Sequence, residues 1–339
     1  MDFPKSMPDI GLVNGQFVDE NVTTGQVGTY IPSSWGNAVT QEILNVIENA
    51  GLKADEGDNT QLMVAINKIS SSYAPVLRYV SESKALLSSD LGLVLIDASL
   101  ETLTLTLPSS LPELGVRDVI VHRVDSAGNR LKVLAAGSDK IKLHTHLNAA
   151  GYPFLILMGA GDWWHLRSDG AGNWWPVGRN DSTPLGRIVF DTTTGFPSGG
   201  YGAISGTLFD RVDWPWLWDH AQQSGQLTTE TARAGNEGSW TSGDGVLTFR
   251  GPEARGEFLR VLDENRGVDV GRLGGSWKAD EIKAHTHKYG NTHSTTYGLS
   301  STGVVGLNPA ASINYNTSSI GGVETRPRSI AYPGRIKLI

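Results

Sequence analysis

GDGVLTFRGPEARGEFLRVLDENRGVDVGRLGGSWKADEIKAHTH, residues 243–287, is the stretch on which the reading of this chain turns. Arginine and glycine recur through it at short intervals (Arg250, Gly251, Arg255, Gly256, Arg260, Arg266, Gly267, Arg272), and it closes on His285 and His287. Glycine permits positive φ and close backbone approach, while arginine offers a planar fork of donors. The pattern therefore predicts a loop-rich, hydrogen-bonded module, of the kind often completed by a partner chain, instead of a wide apolar core. Residues two apart on a strand share a face. An extended backbone would thus turn both imidazoles toward one axis.

Acids are interleaved with those arginines: Asp244, Glu253, Glu257, Asp263, Glu264 and Asp269. A glycoside hydrolase needs two carboxyl groups set several ångströms apart across a sugar. No spacing here fixes such a pair, and alternation with arginine points to a network of charged hydrogen bonds. GDGVLTFRG reads as a turn followed by a strand, and neither a GxSxG elbow nor a nucleotide-type glycine loop occurs in the right context. His285, His287 and His293 suggest a mononuclear zinc hydrolase less well than a shared site, since catalytic zinc also needs an open position and a nearby base. Three chains around a three-fold axis, each giving two imidazoles, would supply an octahedral shell suited to iron, or to nickel or zinc. A merely packed histidine pair is the other reading of the same residues.

After the pair, residues 288–322 (KYGNTHSTTYGLSSTGVVGLNPAASINYNTSSIGG) are almost free of charge and rich in Ser, Thr, Asn, Gly and Tyr. Such composition describes a flexible surface loop. It also describes a recognition loop, in which Tyr supplies contact area at low entropy cost and small polar residues adapt their hydrogen bonds. The candidate receptor contacts are Tyr289, Tyr297, Asn308, Tyr315 and Asn316.

Four segments, WPWLWDHAQQSGQL (214–227), residues 243–267, AHTH (284–287) and GGVETRPRSIAYPGRIKLI (321–339), match in order and spacing. Together they make the last third of the chain resemble the tail-collar type of carboxy-terminal region in bacteriophage tail fibres, including the Mu-like ones. IPSSWGNAVTQEILNVIENAGLKADEGDNTQLMVAI (31–66) is similar to the particle-proximal part of phage and prophage fibres. One departure is Gly251-Pro252-Glu253, where the family usually has an apolar residue, Pro and Asp. The resemblance implies a homotrimer that joins tail or baseplate proteins at its amino-terminal end and meets the host at its tip. It also implies that an HxH pair such as His285 and His287 can hold metal on the trimer axis.

At 339 residues, with 39% hydrophobic content, the chain has room for two or three compact units. Forty-one glycines against four methionines lean toward β-structure and turns. A net charge of -7 and a pI near 5.6 argue against nucleic acid as a partner and against an anionic membrane surface. Without cysteine there are no disulfides and no thiolate metal sites, so stability outside a cell falls to packing, metal or oligomerisation. The opening MDFPKSMPDIGLVNG has no signal-peptide pattern, and no apolar run is long enough to span a membrane. Synthesis in the host cytoplasm and residence in the virion tail are the expected localisation.

The expected fold is mainly β, an elongated multi-domain trimeric fibre. Residues 1–73 form a small α-containing attachment module. Asn37 is the expected cap of a helix with apolar face Val39, Ile43, Val46, Ile47 and Ala50, ended by Gly51, and Asp58 or Asn59 caps a second with Leu62, Ile66 and Ile69. A helical hairpin packed on its own domain is the alternative for this module.

Residues 74–179 are expected to form a small antiparallel β-domain, with DSAGN (125–129) as a hairpin turn between strands at 119–124 and 130–134. Its last hairpin should hold Trp163-Trp164 and Trp174-Trp175, one of each pair inward and the other outward for packing, an interface or a sugar. His144 and His146 make a second pair, read as solvated or hydrogen-bonded rather than metal-bound. Residues 180–206 are the expected linker and 207–339 the collar-like receptor-binding tip. In the tip, Trp214, Trp216 and Trp218 would be core anchors at strand spacing or in a tight turn, and His220 a structural histidine.

The function expected is adhesion, without catalysis. A tailspike-like polysaccharide-degrading enzyme and a purely structural collar or baseplate component are the alternatives. A pilus, lipopolysaccharide or an outer-membrane protein would be the host receptor.

Overall fold

The computed structural model describes residues 4–72, 76–285 and 324–339. Regular structure among the described residues is mostly strand, with three α-helices, so the mainly-β expectation holds. None of the described helices is long and apolar enough to cross a membrane. The chain divides into two compact units, Met1–Ser182 with Pro197–Gly200 and Ile339, and Thr183–Phe196 with Tyr201–Leu338.

The first unit opens with α1 (Ser33–Asn49) and α2 (Gln61–Ser72). Helix α1 begins at Ser33 behind Pro32, not at Asn37, because proline's fixed φ favours the helix start and its missing N–H is no loss there. Gly51 ends the helix at φ +67°, as its position predicted. Asp58 bonds the N–H of Thr60 at 2.8 Å, and α2 starts one residue later. The buried core of the pair is small: Ile47, Ala50 and Ala65, with Val46 and Leu52 against it. Ile43, Leu62 and Ile66, expected on the inward stripe, are exposed, as are Met63 and Val64.

Ten strands follow among the described residues: β1 (Val76–Val80), β2 (Lys84–Ala85), β3 (Gly92–Ile96), β4 (Leu103–Thr106), β5 (Asp118–Arg123), β6 (Leu131–Leu134), β7 (Lys140–Ile141), β8 (Phe154–Leu157), β9 (Trp163–Ser168) and β10 (Asn173–Arg179). They sort into a six-stranded sheet, β1-β3-β5-β9-β10-β7, and a four-stranded sheet, β2-β4-β6-β8. The chain crosses from one sheet to the other at every step from β1 to β6, so the pairs β1–β3, β3–β5, β2–β4 and β4–β6 are parallel. Only β6–β8, β5–β9 and β9–β10 run antiparallel. This corrects the antiparallel expectation.

The DSAGN turn is real, but it links the two sheets instead of folding a hairpin. The Asp125 carboxylate accepts the N–H of Ala98 at 2.7 Å and of Ala127 at 3.0 Å, and Asn129 Nδ2 donates to Ala98 O at 2.9 Å. These bonds carry β6 across to β4, gripping the loop that leads into that strand. Between the sheets lie Val94, Ile96, Val119, Val121 and Leu166 from one side and Leu103, Leu105, Leu131, Val133 and Leu155 from the other, all at 0–1% exposure.

The tryptophan pairs behave as strand alternation requires. Trp164 and Trp174 are buried, Trp163 is half-buried, and Trp175 is 45% exposed. Asp169 in the SDGAGN loop accepts the Trp175 indole N–H at 3.0 Å and Asn173 Nδ2 at 2.8 Å. His144 and His146 lie in a turn after β7, not on a strand, with ring centroids 5.9 Å apart and edge-to-face.

The second unit contains β11 (Ile188–Phe190), β12 (Tyr201–Ala203), β13 (Leu208–Asp210), α3 (Pro215–Gln223), β14 (Leu227–Thr228), β15 (Trp240–Thr241), β16 (Thr248–Arg250) and β17 (Gly334–Lys337). Strand β17 is the middle of a three-stranded sheet between β11 and β12, so the stretch 180–206, expected to be a linker, supplies two strands. A four-stranded sheet, β13-β16-β15-β14, stands beside α3.

Candidate functional site

The conspicuous sequence motifs meet in the second unit, which is built on aromatic rings. WPWLWDHAQQ is helical: Pro215 takes the first helical position, and Trp216, Leu217 and Ala221 are buried on one face. Neither strand spacing nor a tight turn was therefore right for the three tryptophans, and of them only Trp216 is fully buried. The Trp216 indole N–H donates to Leu338 O at 2.8 Å, tying α3 to the residue after β17. Phe209 stacks on Phe249 at 5.4 Å, and Trp218 lies against the same ring. Arg211 covers Trp218 at 4.0 Å and donates to Thr248 O and Ser242 O. His220 packs its ring edge-to-face on Trp240 at 5.7 Å, beside Gly186, where a Cβ would lie 2.2 Å from its Nε2. That is the structural role expected of it.

The motif at 243–250 forms the turn and strand that the sequence predicted. Gly243 has φ +56°, and a Cβ there would lie 2.6 Å from Thr248 Oγ1 and 2.7 Å from its backbone. Asp244 then accepts the N–H groups of Thr248, Val246 and Leu247, bonds that hold its carboxyl far below the ordinary carboxylate range.

The arginines are joined to acids as the alternation suggested. Arg250 Nε donates to Glu230 Oε1 at 2.7 Å and Nη1 to Gly206 O at 3.0 Å, and the Thr241 hydroxyl donates to the other oxygen of Glu230. Arg255 grips Glu253 with two bonds of 2.8 and 2.6 Å. Lys278, Arg260 and Arg272 surround Asp269 at 2.9, 3.5 and 3.9 Å. Asp263 accepts the N–H groups of Val268 and Gly267. The partners named push the carboxyls of Glu230, Glu253, Asp263 and Asp269 below their ordinary values: Thr241 before Arg250 for Glu230, Arg255 for Glu253, Val268 for Asp263 and Lys278 for Asp269. A general acid in glycoside cleavage needs the opposite shift. Glu230 was not singled out by the sequence; Thr229 capping its turn was the local signal.

From β16 to β17 the described residues contain no helix and no strand, only an isolated bridge between Ser205 and Glu253. This excursion exposes large apolar side chains: Phe258, Leu259, Val261, Val268, Val270, Leu273, Trp277 and Ile282, then Ile330 and Tyr332. Clefts open along it, two of them bordered by Phe258. One, of about 300 Å³, is lined by Gln226, Glu237, Phe258, Arg260, Arg272 and Trp277. The other, of about 700 Å³, is lined by Phe190, Ile204, Arg255, Phe258, Arg326 and Tyr332.

His285 is exposed, and its Nδ1 lies 3.1 Å from Lys283 O. A carbonyl oxygen only accepts, so Nδ1 is the donor in this contact. His287 and the candidate contacts Tyr289, Tyr297, Asn308, Tyr315 and Asn316 lie outside the described residues. Among the described residues no three His, Cys, Asp or Glu side chains gather as a metal set within one chain. No protein-family model matches this chain, and no curated protein matches it.

Proposed function

We propose that the chain is one protomer of a homotrimeric bacteriophage tail fibre, an adhesin fixed to tail or baseplate proteins by its amino-terminal module and touching a host surface receptor with its tip. The observation that carries this reading is the excursion between β16 and β17. It is long, without regular structure among the described residues, fastened by Arg–acid pairs, and lined with apolar side chains left in water. A monomer gains nothing from such exposure, whereas neighbouring copies would bury it. The small core of the α1–α2 pair and its exposed Leu62, Met63 and Ile66 fit an element that docks on a particle in the same way.

In this reading His285 and His287 of three chains supply six imidazole nitrogens to one iron on the axis, and the metal staples the tip. The loop of residues 288–322, with Tyr289, Tyr297, Asn308, Tyr315 and Asn316, meets a pilus, lipopolysaccharide or an outer-membrane protein. Several weakly binding tips per particle then give avidity.

Deleting residues 288–322 tests it. The account expects particles that assemble normally and lose host adsorption by at least about tenfold, measured as free particles remaining after mixing with cells. Unchanged adsorption by the deleted particle would instead make the chain a structural collar component. Release of reducing sugar from host polysaccharide by the intact chain would make it an enzyme.

A further inference from the structure

The tryptophan hairpin of the first unit carries side chains that neither the core nor the tip uses. Trp174 is buried, while Trp175 points out from the six-stranded sheet and is 45% exposed. Its ring is held in place. The indole N–H donates to Asp169 Oδ2 at 3.0 Å, and Asp169 is itself fixed by Asn173 Nδ2 at 2.8 Å and by the N–H groups of Ala171 and Asn173 at 2.8 and 3.0 Å. A single exposed aromatic is ordinary, but one tied down along its edge is a platform whose orientation is set before anything binds.

The register puts polar groups beside that platform. Directly opposed residues share a face, so Trp175, Arg167 and Asp118 form one row across β10, β9 and β5, and Gly178, His165 and Ile120 form the next. Arg167 donates to both Asp118 oxygens at 2.7 Å, and His165 Nε2 lies 3.2 Å from one of them. About three of the five N–H groups of the guanidinium, and about one acceptor position on the carboxylate, are left for a ligand. Both side chains stand in water, 51% exposed for Arg167 and 41% for Asp118. Trp163 is on the same face, and a Cβ on Gly178 would lie 3.5 Å from its ring, so a second indole reaches over the row next to Trp175.

We propose that this patch binds a neutral saccharide, with one pyranose ring lying on Trp175 and its hydroxyls bonded by Arg167, Asp118 and His165. A sugar hydroxyl donates and accepts at once, and the ring carbons present a face of C–H groups. Such a unit fits the negative π face of an indole set beside both donors and acceptors. Charge selects among the rivals. Arg167 is offset by Asp118, and Lys142, whose Nζ lies 5.8 Å from the Trp175 ring and donates to Ala149 O and Ala150 O, is offset by Asp169. No surplus of positive charge is left to hold a phosphate, an acidic sugar or nucleic acid. A shallow site with one principal stacking ring binds weakly, at upper micromolar to millimolar sugar. The site needs neither a metal nor a second chain, and it adds to the tip a contact of a different kind in the first unit.

Saturation-transfer NMR of the full chain with neutral oligosaccharides of glucose, galactose, mannose and N-acetylglucosamine, and with an oligogalacturonate, tests the site. Transfer to at least one neutral sugar is expected, strongest at its ring C–H protons. Trp175→Ala should weaken that binding at least about tenfold, with Trp175→Tyr recovering part of it. Arg167→Met should weaken it as well, while Trp277→Ala in the second unit leaves it unchanged. Circular dichroism on the same samples shows which variants fold, and Arg167→Met decides alone if Trp175→Ala does not. Binding that survives Trp175→Ala and Arg167→Met, or that is lost in Trp277→Ala, overturns the location. Transfer to the oligogalacturonate alone overturns the ligand class. No transfer to any neutral sugar refutes the proposal and leaves the patch to a protein partner.

Discussion

Replacing Trp216 by alanine is expected to destabilise the second unit by about 3–5 kcal/mol, the range for a fully buried large aromatic. For a unit of this size that corresponds to a fall in Tm of roughly 6–20 °C. Trp216 is 0% exposed, and its indole donates the bond that fastens Leu338 O to α3. Trp216→Phe should recover part of the loss, since it refills most of the volume but leaves Leu338 O without that donor. Thermal unfolding followed by circular dichroism separates the cases. Equal stability of Trp216→Ala and wild type would mean that α3 is not the core of this unit.

In the first unit the largest effect is expected from Asp125→Ala. Arg123 is 2% exposed, and its guanidinium donates to both Asp125 oxygens at 3.1 and 2.8 Å, to Leu157 O at 2.9 Å and to Ala127 O at 2.8 Å. Removing the carboxylate strands a buried cation and breaks the bond that ties DSAGN to Ala98, for a loss of about 3–5 kcal/mol. Removing both charges, as in Arg123→Met with Asp125→Ala, should cost clearly less than the single change. A double variant as unstable as Asp125→Ala would refute this account of the pair.

The same carboxylate sets an acid limit. Burial opposes its ionisation, but Arg123 and the N–H groups of Ala98 and Ala127 outweigh that and hold it below the ordinary carboxylate value. A depressed folded-state pKa gives stability that is present above the unfolded value, about 3.9, and is lost as pH falls through the lower folded value. Denaturant midpoints of the wild type should therefore fall below about pH 4. Those of the double variant should fall less.

How much of this was legible depended on whether the deciding interaction was local. The Trp163-Trp164 and Trp174-Trp175 hairpin followed from period-two alternation, and the GDG turn from glycine and aspartate chemistry close in sequence. The helix of α3 was missed because Trp214, Trp216 and Trp218 alternate like strand residues. Pro215 and the Trp216–Leu217–Ala221 spacing were the signals that outweighed them. The crossing of β1 to β6 between two sheets left little trace in the sequence, since alternation marks a strand without naming its neighbour. DSAGN was recognised as a turn, while its destination was fixed by Asp125 reaching Ala98, 27 positions away.

The arginine–acid alternation of 243–287 was read correctly as a network of pairs. The apolar residues of the same stretch, Phe258, Leu259, Val261, Leu262, Val268 and Val270, are spread singly or in pairs among charged residues and build no wide core. In the folded chain Phe258, Leu259, Val261, Val268 and Val270 remain more than half exposed. That exposure is the strongest physical reason to expect further copies.

The native mass of the full chain, with metal content determined on the same sample, bears most directly on the account. Three chains per particle with about one iron per trimer is the predicted result. A metal-free monomer that keeps its second unit folded would contradict it.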